Sequence, residues 1–108
     1  MNASPTRGHV YRVALGNLDP KPYVIVSNNH RNRVLDSVLA VRITTTDKAH
    51  IPTAVELNSA DPLVGYAMAD DIVEIFEDEL AEATYMGTLS SNTILNLNRA
   101  LMQALGIP

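Results

Sequence analysis

Side chains that could do acid–base, metal or phosphate chemistry are sparse and scattered in this chain. The histidines stand at His9, His30 and His50, and no two have the i, i+4 spacing that sets a pair of imidazoles on one helix face for a shared metal. Each reads as an exposed or strand-edge polar residue. His50 is the most notable, because it lies in a polar run with Thr44, Thr45, Thr46 and Lys48. Asp70, Asp71 and Glu74 have the makings of an acidic metal cluster, yet adjacent residues on a strand point to opposite faces, which makes a shared ion awkward. Glu77, Asp78 and Glu79 fit the first turn of a helix, where carboxylates meet the positive end of the dipole. Arg31, Asn32 and Arg33 could meet a phosphate, but a surface turn held by asparagine side chains is the simpler reading. Cysteine is absent, which removes disulfides, thiolate ligands and a thiol nucleophile. The GxGxxG, Walker A, HExxH and GxSxG patterns are absent too. Neither a metal nor a cofactor is expected.

The elements that would position these residues follow from periodicity. Residues 9–15 alternate and are rich in β-formers, so they read as a half-buried strand stopped by Gly16 and Asn17, with a loop to Pro20. Residues 23–26 and 38–44 are unbroken apolar β runs, which suits central, buried strands, and turn formers occupy 27–36 between them. Shorter strands are expected at 53–57, 65–72 and 84–89, with a strong turn at 58–62 and one helical turn at 77–80. From Ser91, the apolar residues Ile94, Leu97, Leu101 and Leu105 recur at helical spacing. Ser90 or Ser91 can cap that helix and Gly106 can end it. The pattern predicts a small, mainly antiparallel, barrel-like sheet with a closing C-terminal helix.

A chain of 108 residues suits one domain, and its 46% hydrophobic and 19% charged content is ordinary globular usage. Residues 1–8 lack the apolar stretch of a secretory signal, and no apolar run approaches the roughly 20 residues needed to span a bilayer, so a cytoplasmic protein is expected. A net charge of −4 counts against coating duplex DNA but leaves room for a local basic groove. Seven of the eight cations precede residue 50, and nine of the twelve acids lie from Glu56 onward. If folding separates these halves, one face could take an anion and the other a basic partner.

Arg7-Gly8-His9-Val10-Tyr11, then Lys21-Pro22 running through 23–26 to Ser27-Asn28, then Asn32-Arg33, Ile43-Thr44, Ile51-Pro52-Thr53, Asp70-Asp71-Ile72 and Ala104-Leu105-Gly106 occur in that order along nearly the whole chain. In this order and spacing the sequence resembles the MazF/PemK toxin endoribonucleases of type II toxin–antitoxin systems. No single short motif carries the likeness.

The resemblance implies a single domain over 1–108, built as a small SH3-like or CcdB-like antiparallel β-barrel with a C-terminal helix. It implies a metal-independent mRNA interferase that cuts single-stranded RNA, works as a homodimer and is neutralised by a cognate MazE-like antitoxin. The catalytic pair it points to is Lys21, where the family more often has arginine, and Thr44. Cleavage by the RNA's own 2′-hydroxyl needs a base near that hydroxyl, charge stabilisation on the phosphorane oxygens and a proton for the leaving 5′-oxygen. Lys21 can stabilise charge and share in proton transfer, and the Thr44 hydroxyl can donate to a phosphate oxygen. Unpaired bases are read on their edges and by stacking, so the loops would set preference. Thr45, Thr46, Lys48, His50 and Ile51 form one candidate wall. Asn28, Asp70 and Asp71 form another, and Asp19 is the acid offered by the short first loop. With one Phe and no Trp, recognition should lean on hydrogen bonds.

Two rival readings belong to other classes. A CcdB-like gyrase poison shares the fold but depends on a C-terminal Trp-Gly-Ile, whereas this chain ends Leu105-Gly106-Ile107-Pro108 without tryptophan. An inactive binding module, kept for antitoxin capture, is the reading that lysine at position 21 keeps in play.

Overall fold

The computed structural model describes residues 5–108. Residues 1–4, half of the N-terminal stretch read above for a leader, lie outside the described residues. The elements run β1 (His9–Val13), β2 (Lys21–Ile25), α1 (Asn29–Val34), β3 (Ser37–Thr44), β4 (Ala54–Glu56), β5 (Tyr66–Phe76), α2 (Glu77–Ala81), β6 (Thr84–Thr88) and α3 (Ser91–Leu105). The six strands form one sheet in the order β4-β5-β3-β2-β1-β6, every neighbouring pair antiparallel.

The unbroken apolar runs of β2 and β3 put them in the middle, because a strand apolar on both faces must be covered on both. On one face Val10, Val24, Val41 and Ile43 pack with Leu97, Ala100 and Leu101 of α3. On the other, Val13, Tyr23, Ile25, Val38, Ala40 and Ile75 are buried with Leu80 and Ala83 beside them. Burying one such aliphatic side chain is worth about 1.5–3 kcal/mol, so these rows fix the register of the central strands.

The sheet is antiparallel and mainly β with the closing helix, as the pattern predicts, but the barrel does not close. β4 and β6 are its two edges, and no ladder joins them. The 58–62 loop after β4 bridges the gap with side chains instead. The Asp61 carboxylate accepts from the Ser90 backbone N–H at 2.7 Å and from the Thr93 hydroxyl at 2.6 Å. A three-residue β4 has too few backbone groups to continue the ladder round.

Two other expectations change. The 27–36 segment holds a short helix, α1, because the Asn28 side chain accepts from the Arg31 backbone N–H and the buried Asn32 amide donates to the Ser27 carbonyl. β5 runs on to Phe76, past the expected end at 72. In α3 the Ser90 side chain caps the first turn and Gly106 takes the left-handed conformation at φ 70°, as expected, whereas Leu105 of the expected apolar stripe is exposed. Among the described residues no helix is long and apolar enough to cross a membrane.

Candidate active site at the loop end of the central strands

The β2–β3 ladder sets Tyr23 opposite Arg42 and Val24 opposite Val41. Two residues further along each strand from the Tyr23–Arg42 pair stand Lys21 and Thr44. Side chains alternate along a strand, so Lys21, Tyr23, Arg42 and Thr44 share the α2-side face. Beyond them Val13 pairs with Lys21 and Tyr66 pairs with Thr44. The row lies where β2 begins and β3 ends, flanked by the 14–20 and 45–53 loops.

Lys21 is exposed and Thr44 half-buried. The Thr44 hydroxyl oxygen accepts from the Thr46 backbone N–H at 3.2 Å, which orients the group and leaves its own hydrogen available to donate. Gly65 makes this close packing possible. Its φ is +141°, and a Cβ there would sit 2.4 Å from the Thr44 carbonyl oxygen, so only glycine lets the start of β5 come this near.

The 45–53 loop is tied down from within. The Asp47 carboxylate accepts from the Ala49 backbone N–H at 2.9 Å and from the Tyr66 hydroxyl at 3.2 Å. Those hydrogen bonds, Ala49's first, hold its carboxyl below the usual value. The Ile51 N–H donates to the Lys48 carbonyl, which turns the loop back on itself, and Thr45, Thr46, Lys48, His50 and Ile51 all lie in this loop directly after Thr44. Asp19 lies in the opposite loop, exposed, two residues before Lys21.

The second expected wall divides. Asp70 accepts from the buried Thr53 hydroxyl at 2.7 Å. Asp71 approaches Arg42 Nε at 3.9 Å. Glu74 turns to Ser37 and Arg31, at 2.6 and 3.7 Å, so none of these three acids shares a partner with another. Asn28 stands apart. It lies seven residues beyond Lys21, on the order of 20 Å along the strand direction, and its side chain caps α1. Nothing within this protomer brings it to Thr44.

Sequence reasoning passed over Tyr23, Asp47 and Tyr66 and gave Arg42 no leading role. Arg42 had a signal, since it precedes Thr44 by two residues on a strand. Burial first, then the Asp71 charge, pushes the Tyr23 hydroxyl up, which places those two side chains near one another. The condition of separate basic and acidic faces is not met in the sheet, because β5 pairs directly with β3 and carries Asp71 and Glu74 to Arg42 and Arg31. The acids of α2 remain grouped at its first turn.

An open antiparallel sheet backed by one long helix, with Lys21 and Thr44 at the loop end of its central strands, defines a small mainly β protein. The comparisons narrow that class. The family described as PemK-like, MazF-like toxin of type II toxin-antitoxin systems matches residues 6–105, and the chain belongs to it. It is 49% identical over 108 residues to a protein of Mycobacterium bovis named Endoribonuclease MazF1, covering 100% of this chain and 98% of the relative. The same figures hold for Endoribonuclease MazF4 of Mycobacterium tuberculosis. Among solved structures, a mycobacterial endoribonuclease in complex with its cognate antitoxin superposes with a TM-score of 0.88 at 47% identity, over 96% of this chain and 97% of that one. A MazE-MazF structure from Deinococcus radiodurans, at 19% identity and a TM-score of 0.84 over 99% of this chain and 100% of that one, shares the fold.

Proposed function

We propose that this protein is an endoribonuclease toxin that cuts single-stranded RNA through attack by the substrate's own 2′-hydroxyl, needs no metal or cofactor, and is neutralised by a cognate antitoxin. The observation that carries the reading is that Lys21 and Thr44 each lie two residues beyond the paired Tyr23 and Arg42, between two loops, in a chain close to half identical to relatives named endoribonucleases. Residues 1–108 act as one domain, in the cytoplasm, where RNA and antitoxin meet it.

In the proposed step the 2′-oxygen forms a bond to phosphorus and the bond from phosphorus to the 5′-oxygen breaks, leaving a 2′,3′-cyclic phosphate. One proton leaves the 2′-oxygen, for which Asp19 is the carboxylate of the nearer loop, and one reaches the departing 5′-oxygen from the Lys21 side. No electrons are exchanged. The Lys21 ammonium balances the charge gathering on the phosphorane, and the Thr44 hydroxyl donates to one of its oxygens. Thr45, Thr46, Lys48, His50 and Ile51 line the path of the bases on one side, and Asp70 and Asp71 on the other. Asn28 joins them only if a second protomer supplies it.

The test is cleavage of a long mixed-sequence RNA in EDTA, with the ends of the products determined. Cuts at a recurring short sequence with cyclic phosphate ends are expected, and a 2′-deoxy nucleotide at the cut position should abolish turnover. Cleavage of that modified strand, or an absolute need for Mg²⁺, overturns the mechanism.

A further inference from the structure

Resting on the reading of Lys21 and Thr44 as the cleavage site, we propose that Arg42 is a second catalytic cation of that site, a guanidinium that grips the oxygens of the reacting phosphate while Asp71 positions it. The first support is register. Tyr23 lies opposite Arg42, so Lys21, two residues before Tyr23, is the diagonal neighbour of Arg42 on the same face. Such neighbours stand about 7–8 Å apart at the backbone, within reach of two long side chains converging on one phosphate.

The second support is the state of its donors. Arg42 Nε is buried and makes no hydrogen bond. The other half-buried arginines are occupied, since Arg7 donates to the Asn98 side chain and Arg31 to the Ser37 carbonyl at 2.9 Å. A guanidinium carries five donors, and taking one out of water without a partner is costly, which a bound anion close to Arg42 would offset. The Arg42 side chain keeps 37% of its surface exposed, so part of it meets solvent where a phosphate could approach.

The third support is a distortion of β5. Val41 pairs with Ile72 and Ile43 with Ala67, so residues 68–71 all lie opposite the single residue Arg42. An irregularity of that kind re-aims side chains at the price of ladder hydrogen bonds. Here it swings Asp71 to within 3.9 Å of Arg42 Nε, near enough to orient the guanidinium and too far to occupy it as a hydrogen bond does.

The chemistry explains why this chain would need such a residue. Lysine presents a point charge, whereas the planar fork of arginine matches two phosphate oxygens at once. With lysine at position 21, Arg42 supplies the fork from one strand over. It neither gives nor takes a proton, because arginine stays charged at any working pH. Its part is to hold charge as the phosphorane forms.

The experiment uses the full chain and an oligonucleotide containing the sequence that the parent protein is found to cut, under single-turnover conditions in EDTA. Arg42→Ala should slow cleavage by about tenfold to a hundredfold, the scale for one lost donor to the transition state. Arg42→Lys should fall between the two. Adding Lys21→Arg to Arg42→Ala should regain most of the loss, which a merely structural Arg42 would not allow. Affinity for the same oligonucleotide blocked by a 2′-deoxy nucleotide should show a slope of log affinity against log salt shallower by about 0.7, one phosphate contact on a single strand. Asp71→Asn should slow the same single-turnover step, and in the Arg42→Ala background it should add little further loss. Should Arg42→Ala misfold in a thermal melt, Arg42→Gln, closer in size, takes its place with the same expectations. A folded variant that cuts at the parent's rate, or one that is slower with an unchanged salt slope, overturns this inference alone. A parent protein that cuts no RNA overturns the proposed function as well.

Discussion

Lysine at position 21 puts a long, mobile ammonium at the mouth of the site, and its worth depends on charge being held where the transition state gathers it. Pro22 fixes the backbone directly after it, while the side chain projects into solvent. Lys21→Ala should therefore reduce the cleavage rate by on the order of a hundredfold or more. RNA affinity should change far less, since one phosphate contact alters binding modestly. Lys21→Arg should keep or raise the rate. Thr44→Ala should be slow as well, and the double variant should fall well short of the product of the two losses, because both groups act on one phosphate. Single-turnover rates, with melts to confirm folding, decide this, and a Lys21→Ala protein as fast as the parent would remove Lys21 from the site. The strand-end positions of Lys21 and Thr44 were legible in the sequence through the order of short segments around them. The tie from Asp47 to Tyr66 was not, because it joins a loop to a strand across a 19-residue separation that no local pattern encodes. The capping of α1 by Asn28 was not legible, because a cap asparagine and a base-reading asparagine look alike until the helix is seen.

At the scale of elements, the legible parts are those whose signal is periodic. The two apolar runs became the central strands, and the 3.6-residue spacing after Ser90 became α3. α1 escaped because its six residues carry no apolar stripe and owe their helix to capping and to the buried pair of Ser27 and Asn32. The open edge escaped because closure depends on strand length and tilt, which pattern does not report. What replaces closure is Asp61, which accepts from the backbone N–H groups of Asn58 at 2.8 Å and Ser90 at 2.7 Å and from the Thr93 hydroxyl. Burial by itself would raise its pKa, but the hydrogen bonds from Thr93, Ser90 and Asn58 outweigh burial and hold the carboxyl below 3.8. A depressed carboxyl favours folding above its unfolded value, and that contribution fades as the pH falls through the folded one. Asp61→Ala should thus cost about 1–3 kcal/mol in urea unfolding at pH 7, and the gap to the parent should shrink below about pH 4. The variant should still cut RNA under conditions where it is folded, because Asp61 lies with β4 and α3, away from Lys21. An unchanged urea midpoint at pH 7 would show that the loop holds without this anchor.

For the whole molecule, the question is what covers the apolar surface that one protomer leaves in water. α3 spends one stripe on the core, with Leu97, Ala100 and Leu101 buried, and carries a second stripe outward. Leu95, Met102 and Leu105 are 52%, 42% and 60% exposed, and Ile107 just past the helix is 51% exposed. Residues 95, 102 and 105 fall on one face of the helix, with the half-buried Asn98 and its partner Arg7 between them, on a body of only 38 × 30 × 26 Å. A patch of that kind on a small domain is most simply covered by its own copy about a two-fold axis, where each stripe meets its equivalent. Light scattering at micromolar concentration should therefore report about twice 11.7 kDa. Replacing Met102 and Leu105 together with glutamate should shift the mass toward 11.7 kDa while leaving the protomer folded, since neither side chain belongs to either buried cluster. The same variant bears on Asn28. If a second protomer supplies Asn28 to the Lys21 site, the monomeric form should lose sequence preference in its cuts as well as rate. A variant that stays dimeric would move the interface from α3 to the exposed residues Leu35 and Tyr85, which line the cavity of about 790 Å³ between α1 and α2. A parent protein that is monomeric at these concentrations would leave both surfaces to partners of another kind, the antitoxin first among them.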